Sequence, residues 1–449
     1  MLHANPKMKH TANWLSVLVL MTSISVIMVP TFGFSATVFS APEPNDIARN
    51  LVDEFKYDTL EQMKVAGLEQ SQVSAQPWSG WYWPLNEGGL AYRYADITFP
   101  RGANWPTVSS YLLSTIGFGP VNRLSPAEKY DLLLGDGNFT MTRMMIQIAE
   151  DHKVGGNVDA WMGYCTGWAN AAMMMPRPAH SVIVTAADGK TRIDFRPSDI
   201  KALGALLWAN GGSPARVVGG LCQESPVRRD PVTGRAIDPA CRDTNPATFH
   251  LSIVNQIGVS HRSFLIDSDS GYQIWNQPVS NYSYSYFNPA TGKAAPLEEA
   301  SVALSDFPND VFKGFRAPGT KYVVGVETQL TFIYETRPSA LPTDSPETDD
   351  KRVPVYRYDL ELDASGKIIG GEWYSRLHPD LLWVAPPGSD PATRGDSFVH
   401  PGEHWDPEQP LPSSWLTAAA SSEQYVQPLG VIVEKLFEWA SDVSTPAQQ

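Results

Sequence analysis

Cysteine is scarce in this chain. Its 449 residues hold three, Cys165, Cys222 and Cys241. At most one bridge can form, and one thiol is left over. Basic charge is also short: 34 Lys and Arg face 48 Asp and Glu, a formal net charge of −14. That excludes a basic nucleic-acid footprint. Long apolar runs are absent beyond residues 14–30, "WLSVLVLMTSISVIMVP", so no later segment could span a bilayer. No internal repeat is apparent.

The first forty residues stand apart. Lys7 and Lys9 precede the apolar run, Pro30 interrupts it, and small residues follow in "FGFSATVFSAPEP". This order matches the three regions of a secretory signal. We expect residues 1–40 to be that signal, with cleavage between Ser35 and Ala41, and residues 41–75 to be a candidate propeptide. Loss of the two lysines would take the charge from −14 to −16. The mature protein is expected outside the cell or in the periplasm, where a disulfide is chemically permitted. Cys222 and Cys241 bracket the polar, proline-bearing "QESPVRRDPVTGRAIDPA" and are the expected pair. Cys165 is then the free thiol.

The organisation reads as helices first, strands later. Residues 45–63 repeat apolar groups at helical spacing. Trp78, Trp81 and Trp83 sit among Pro and Gly, which predicts a buried aromatic corner rather than a sugar platform. Ser125-Pro126-Ala127-Glu128 is a capping box with proline at the first helical position. "TRMMIQIAEDHK" and the stretch from Ser198 to Gly211 predict two more helices. From residue 247 the period changes to two. "TFHLSIVNQIG", "HRSFLID", "YQIWNQPV" and "KYVVGVETQLTFIYET" are expected strands. Residues 337–354 are rich in proline and acid and read as a linker. Beyond them, 355–449 predicts a hairpin and a closing helix in a smaller C-terminal unit. The fold class is α+β, with residues 41–336 as the catalytic region.

Cys165 lies in "AWMGYCTGWANAAMM", between Gly163 and Gly167 and ahead of an alanine-rich run. The pattern puts the thiol at a helix N-terminus, where the macrodipole and orphan N–H groups favour a thiolate and could hold an oxyanion. A nucleophilic cysteine needs a base. Of nine histidines, two leave with the signal and six lie in loop-like surroundings. His250, inside "TFHLSIV", is the one expected on a rigid strand. Asp267, at the end of the next strand, is the expected orienting acid. Asp269 lies two residues on, and Asn276 is a rival orienter. Trp161 is an auxiliary candidate for the oxyanion pocket. The order Cys, His, Asp resembles that of papain-like and transglutaminase-like enzymes.

The resemblance then becomes specific. "IWNQPVSNYSYSYF", residues 274–287, is similar to the elicitor peptide of the secreted transglutaminase elicitors of plant-pathogenic oomycetes. Trp275-Asn276-Gln277-Pro278-Val279 matches in full, and the chain diverges after Val279. "WMGYCTGWANAAMMMPRP" resembles that family's nucleophile segment and "GGEWYSRLHPDLLW" its C-terminal region. The resemblance implies a papain-like core and a calcium-dependent protein-glutamine γ-glutamyltransferase, an acyltransferase joining glutamine to lysine side chains of proteins. It implies Cys165 as nucleophile with His250 and Asp267 as partners. No clean calcium site is visible. Glu361 to Glu372 fits an ion-binding loop only loosely and reads better as a hairpin turn, and "DSDSG" (267–271) is a second candidate. A cysteine protease or amidase on the same core, or a non-catalytic secreted binding protein, are the alternative readings.

Overall fold

The computed structural model describes residues 46–268 and 273–441. The expected signal segment, Asp269 and most of "DSDSG" lie outside the described residues. In chain order the elements are α1 (Leu60–Val65), β1 (Gln70–Gln72), α2 (Trp105–Thr115), α3 (Pro126–Leu134), α4 (Thr140–Asp151), α5 (Cys165–Met174), β2 (Val182–Thr185), β3 (Arg192–Phe195), α6 (Pro197–Asn210) and β4 (Arg216–Gly219). The second half contains α7 (Pro246–Ser252), β5 (Leu265–Asp267), β6 (Asn276–Phe287), α8 (Leu297–Ala300), β7 (Ser301–Ala303), β8 (Tyr322–Tyr334), β9 (Asp350–Arg352), β10 (Val355–Leu362), β11 (Ile368–Trp373), β12 (Leu381–Val384), α9 (Ser413–Glu423) and α10 (Gly430–Ser441).

The large sheet runs in the order β11-β10-β8-β6-β5-β12-β4, with β1 added on β6 and β7 and β9 on β8. Every described pairing is antiparallel. β6 and β8 form its backbone, in register from Asn281 opposite Thr331 to Phe287 opposite Gly325. Helices and the antiparallel sheet occupy separate layers, the α+β arrangement expected from the sequence.

Two apolar cores flank this frame. One joins α2 to α6, α9 and α10 with Leu265, Ile333 and Trp383 from the sheet. The other packs the N-terminal segment and α7 on the rest of the sheet. Gly167 permits the close crossing of α5 on α6, because a Cβ there would lie 1.9 Å from the Ala205 carbonyl oxygen. The capping box on Ser125 and Glu128 is formed. Trp78 and Trp83 are buried as expected, and the Cys222–Cys241 bridge is present, leaving Cys165 free. No described helix is long and apolar enough to cross a membrane.

Three expectations need correction. The helix expected over 45–63 shrinks to α1 and a short 3₁₀ turn. Its backbone donors are claimed from far away: Asp53 N donates to Gln256 Oε1, and Lys56 N and Tyr57 N donate to Asn255 Oδ1. The strand expected around His250 is α7, which runs on into a π-helical turn, Ile253–Val259. Residues 246–252 are buried on every side, so no amphipathic period marks the helix. The C-terminal region is not a separate unit. β10 pairs with β8 along its whole length, and Phe437 of α10 stacks on Trp78 at a ring-centroid distance of 6.1 Å. The acid-rich "linker" is pinned as well. Arg177 bonds Asp344 and Asp349, Lys201 pairs with Asp344, and β9 joins β8.

The N-terminal segment from residue 46 is equally built in. Leu51, Leu60 and Met63 are buried in the second core, and Asp53 pairs with both Arg216 and Arg262. Those guanidiniums outweigh the effect of burial and hold the Asp53 carboxyl down at about 2.

Candidate active site

Cys165 opens α5 as its first residue. Tyr164, the residue before, supplies no side-chain cap, so the N–H groups of the first turn have no helical partner. Gly163 lets the chain enter, since a Cβ there would meet Tyr82 O at 2.5 Å. Tyr164 N donates to that same carbonyl.

Cys165 is 7 % exposed, and its sulphur faces the strand entry at 274–276. Its thiol donates to Ile274 O at 3.6 Å, and Asn276 Nδ2 approaches Sγ at 3.6 Å. The same amide nitrogen donates to Thr166 Oγ1 at 2.9 Å. Asn276 Oδ1 accepts from the Trp383 indole at 2.7 Å. Trp383 thereby fixes which end of the amide points at the sulphur.

Asp267 completes the group. It sits directly opposite Asn276 in the β5–β6 register, and opposed residues of an antiparallel pair project to the same face. Its Oδ1 accepts from Trp275 N at 2.8 Å. One residue on, Gln277 Nε2 donates to Glu335 Oε1 at 2.8 Å. Trp275 packs edge-on against Tyr82 at 5.4 Å between ring centroids.

Charge at the site differs from the sequence expectation. Burial pushes the Cys165 thiol above its ordinary range. The Asn276 amide works against this, and Glu335 and Asp267 add to it. Among the described residues no cation contacts Sγ to reverse the balance, so desolvation outweighs the helix dipole. Burial likewise lifts Glu335 to about 7. In the resting site the sulphur carries its proton.

Of the expected site residues, Cys165, Asp267 and Asn276 come together and His250 does not. His250 is fully buried. Its Nδ1 pairs with Tyr358 Oη at 2.8 Å, and its ring packs on Tyr284 at 4.7 Å. Tyr284 and Asn276 are eight residues apart on β6, on the order of 25 Å at the rise of a strand. The imidazole therefore cannot reach the thiol, and burial holds it neutral, down at about 3. Trp161 lies half-buried in the turn before α5. Asp269 lies outside the described residues.

Trp383, Thr166, Gln277, Glu335 and Tyr82 were not anticipated. A signal existed for Trp383, which ends the third matching segment, "GGEWYSRLHPDLLW". The loosely ion-like stretch 361–372 is the β10–β11 hairpin. Its Glu361 is committed to Arg316 and to Ala317 N, and Glu372 pairs with Arg235. Among the described residues, one grouping of acids is close enough to share an ion, Asp131, Asp136 and Glu423; none of its members contacts Cys165.

The model of the transglutaminase elicitor family matches residues 139–397, a span holding Cys165, Asp267, Asn276 and Trp383. Among solved structures, the chain is similar to the GP42 transglutaminase from Phytophthora sojae. The TM-score is 0.55 at 20 % identity, covering 89 % of this chain and 99 % of that one. The likeness is one of fold, an α+β transglutaminase-like core. No curated protein matches the chain.

Proposed function

Because the chain belongs to the transglutaminase elicitor family, we propose that it is an extracellular protein-glutamine γ-glutamyltransferase acting through Cys165. The observation that carries this reading is the sulphur in the first turn of α5 with the Asn276 amide against it.

The Cys165 sulphur attacks the side-chain carbonyl of a glutamine, forming the S–C bond. The thiol proton passes to Asp267, the carboxylate in register with Asn276. The tetrahedral oxyanion is met by the orphan N–H groups of α5 and by Asn276 Nδ2. The C–N bond breaks, and ammonia leaves with the proton held by Asp267. A thioester remains. A lysine amine attacks it and gives a proton to Asp267. The sulphur leaves as thiolate and recovers that proton, and an isopeptide bond remains. Asp267 takes the base role the sequence gave to His250.

Two features support amine over water as the acceptor. The sulphur is buried, and the paired rings of Tyr82 and Trp275 stand beside it. Exclusion of water protects a thioester from hydrolysis. Calcium, implied by the resemblance, enters none of these steps.

The test incubates the secreted protein with casein and a labelled primary amine. Amine incorporation that Cys165→Ser abolishes supports the reading. Release of peptides or of glutamate without incorporation favours the protease or amidase. Elicitor activity unchanged in Cys165→Ser, with no incorporation by the wild type, favours a binding protein.

A further inference from the structure

The connection between α3 and α4 carries the sequence "DLLLGDGNFTMT", residues 131–142. Its two aspartates are held by backbone donors. Asp131 Oδ1 accepts from Met141 N at 2.9 Å, and Oδ2 accepts from Thr142 N at 3.0 Å and Thr142 Oγ1 at 2.6 Å. Asp136 Oδ1 accepts from Asn138 N at 2.9 Å and Oδ2 from Thr140 N at 2.6 Å. Asp131 Oδ2 spends both lone pairs on Thr142, whereas Asp131 Oδ1 and Asp136 Oδ1, with one donor each, keep one to offer.

A third acid arrives from the far end of the chain. Glu423 ends α9, is 3 % exposed, and its Oε1 has no hydrogen-bond partner. Ligand oxygens of the three residues lie within 4.8 Å of one another. Calcium–oxygen bonds of about 2.3–2.6 Å place two ligands of one ion at most about 5 Å apart. No salt bridge reaches any of the three among the described residues. Arg143 acts on Asp136 only at a distance. Two buried acids and a half-buried one brought together favour a positive partner, and an all-oxygen donor set selects a hard ion over a soft one.

We propose that Asp131, Asp136 and Glu423 hold a divalent cation of the calcium class. The remaining ligands would be water, and the ion would tie the α3–α4 connection to the end of α9. A neighbouring bond makes the same tie: Leu429 N, just past α9, donates to Tyr130 Oη of α3 at 2.8 Å. The clamp bears on the candidate active site through α4. Met145, one turn beyond Met141, receives the Tyr164 hydroxyl at 3.5 Å, and Tyr164 precedes Cys165. The competing account is a shared proton. Burial, then the charges of Asp131 and Asp136 and a hydrogen bond with Asp131, pushes the Glu423 carboxyl well up, and burial pushes Asp131 up as well.

The test strips the full secreted protein with a chelator and titrates it with calcium and, separately, magnesium by calorimetry, with thermal unfolding alongside. The expected result is one equivalent of calcium, bound more tightly than magnesium, and a raised Tm. Glu423→Gln should keep the wild-type circular dichroism and lose at least about tenfold in calcium affinity. Asp136→Asn serves if that variant fails to fold. No calcium binding by the wild type, unchanged binding by the variants, or magnesium bound more tightly would overturn the proposal. So would a Glu423→Gln protein stabilised without any calcium-dependent shift, which identifies the shared proton. The readout is binding, so it stands whether or not Cys165 proves to be an acyl carrier.

Discussion

The Trp383 indole donates a 2.7 Å hydrogen bond to Asn276 Oδ1. An amide whose oxygen is occupied on one side must offer its nitrogen on the other, and that side holds Cys165 Sγ and Thr166 Oγ1. Trp383→Phe keeps the ring and removes the donor, so the amide can turn over. The expected outcome is a fall in kcat of about tenfold with KM and Tm little changed. Asn276→Ala, which deletes the amide, should cost about 10²-fold. Steady-state amine incorporation checks both.

Asp267 raises the thiol pKa by its charge while serving as the proposed proton carrier. The two roles predict opposite responses. Asp267→Asn should speed alkylation of Cys165 by iodoacetamide at pH 8 and lower amine transfer by 10²-fold or so. Glu335→Gln removes another charge that raises the thiol pKa and should also speed alkylation while leaving transfer within about threefold. Equal effects of the two variants on both reactions would count against the assignment.

His250 gives a pH signature of folding rather than catalysis. Its folded pKa lies near 3 against 6.5 for the free side chain, because burial disfavours the cation. Between those values the unfolded chain binds the extra proton. The stability that His250 contributes is therefore complete above about pH 6.5 and declines as pH falls toward 3, by about 1.4 kcal/mol per pH unit. His250→Phe should lose this slope between pH 6.5 and 5 in denaturant titrations. It should cost about 1–3 kcal/mol at neutral pH through the lost Tyr358 partner and keep amine transfer within about twofold of wild type.

Gly167 has no room for a side chain. A Cβ would sit 1.9 Å from Ala205 O, backbone that cannot step aside without parting α5 from α6. Gly167→Ala should destabilise by about 3 kcal/mol, and because α5 carries Cys165, transfer should fall as well. Chemical denaturation and the casein assay read the two effects.

What was legible in the sequence depended on how local its cause was. α3 and α6 announce themselves by Pro at the first turn and by capping residues within three positions. The α7 helix did not, because Phe249, His250, Leu251 and Ser252 are all buried and leave no polar face to set a period. Asn245-Pro246 did mark its start, as N-cap and first helical residue, and was outweighed by the apparent alternation. The N-terminal helix failed for a distant reason, the Asn255 and Gln256 side chains that take its backbone donors. At the site, Cys165 was legible as the unpaired thiol. Asp267 and Asn276 were legible because one ends a strand and the other opens the next. Trp383 and Glu335 come from strands later in the chain, and only the sheet order brings them in.

Whether Cys165 carries the acyl group is read by intact-mass spectrometry of the protein mixed with a glutamine peptide and no amine. The expected product is an adduct equal to the peptide less ammonia, mapped to Cys165, discharged by added lysine and absent from Cys165→Ser. An adduct mapped elsewhere, or wild-type amine transfer by Cys165→Ser, would contradict it.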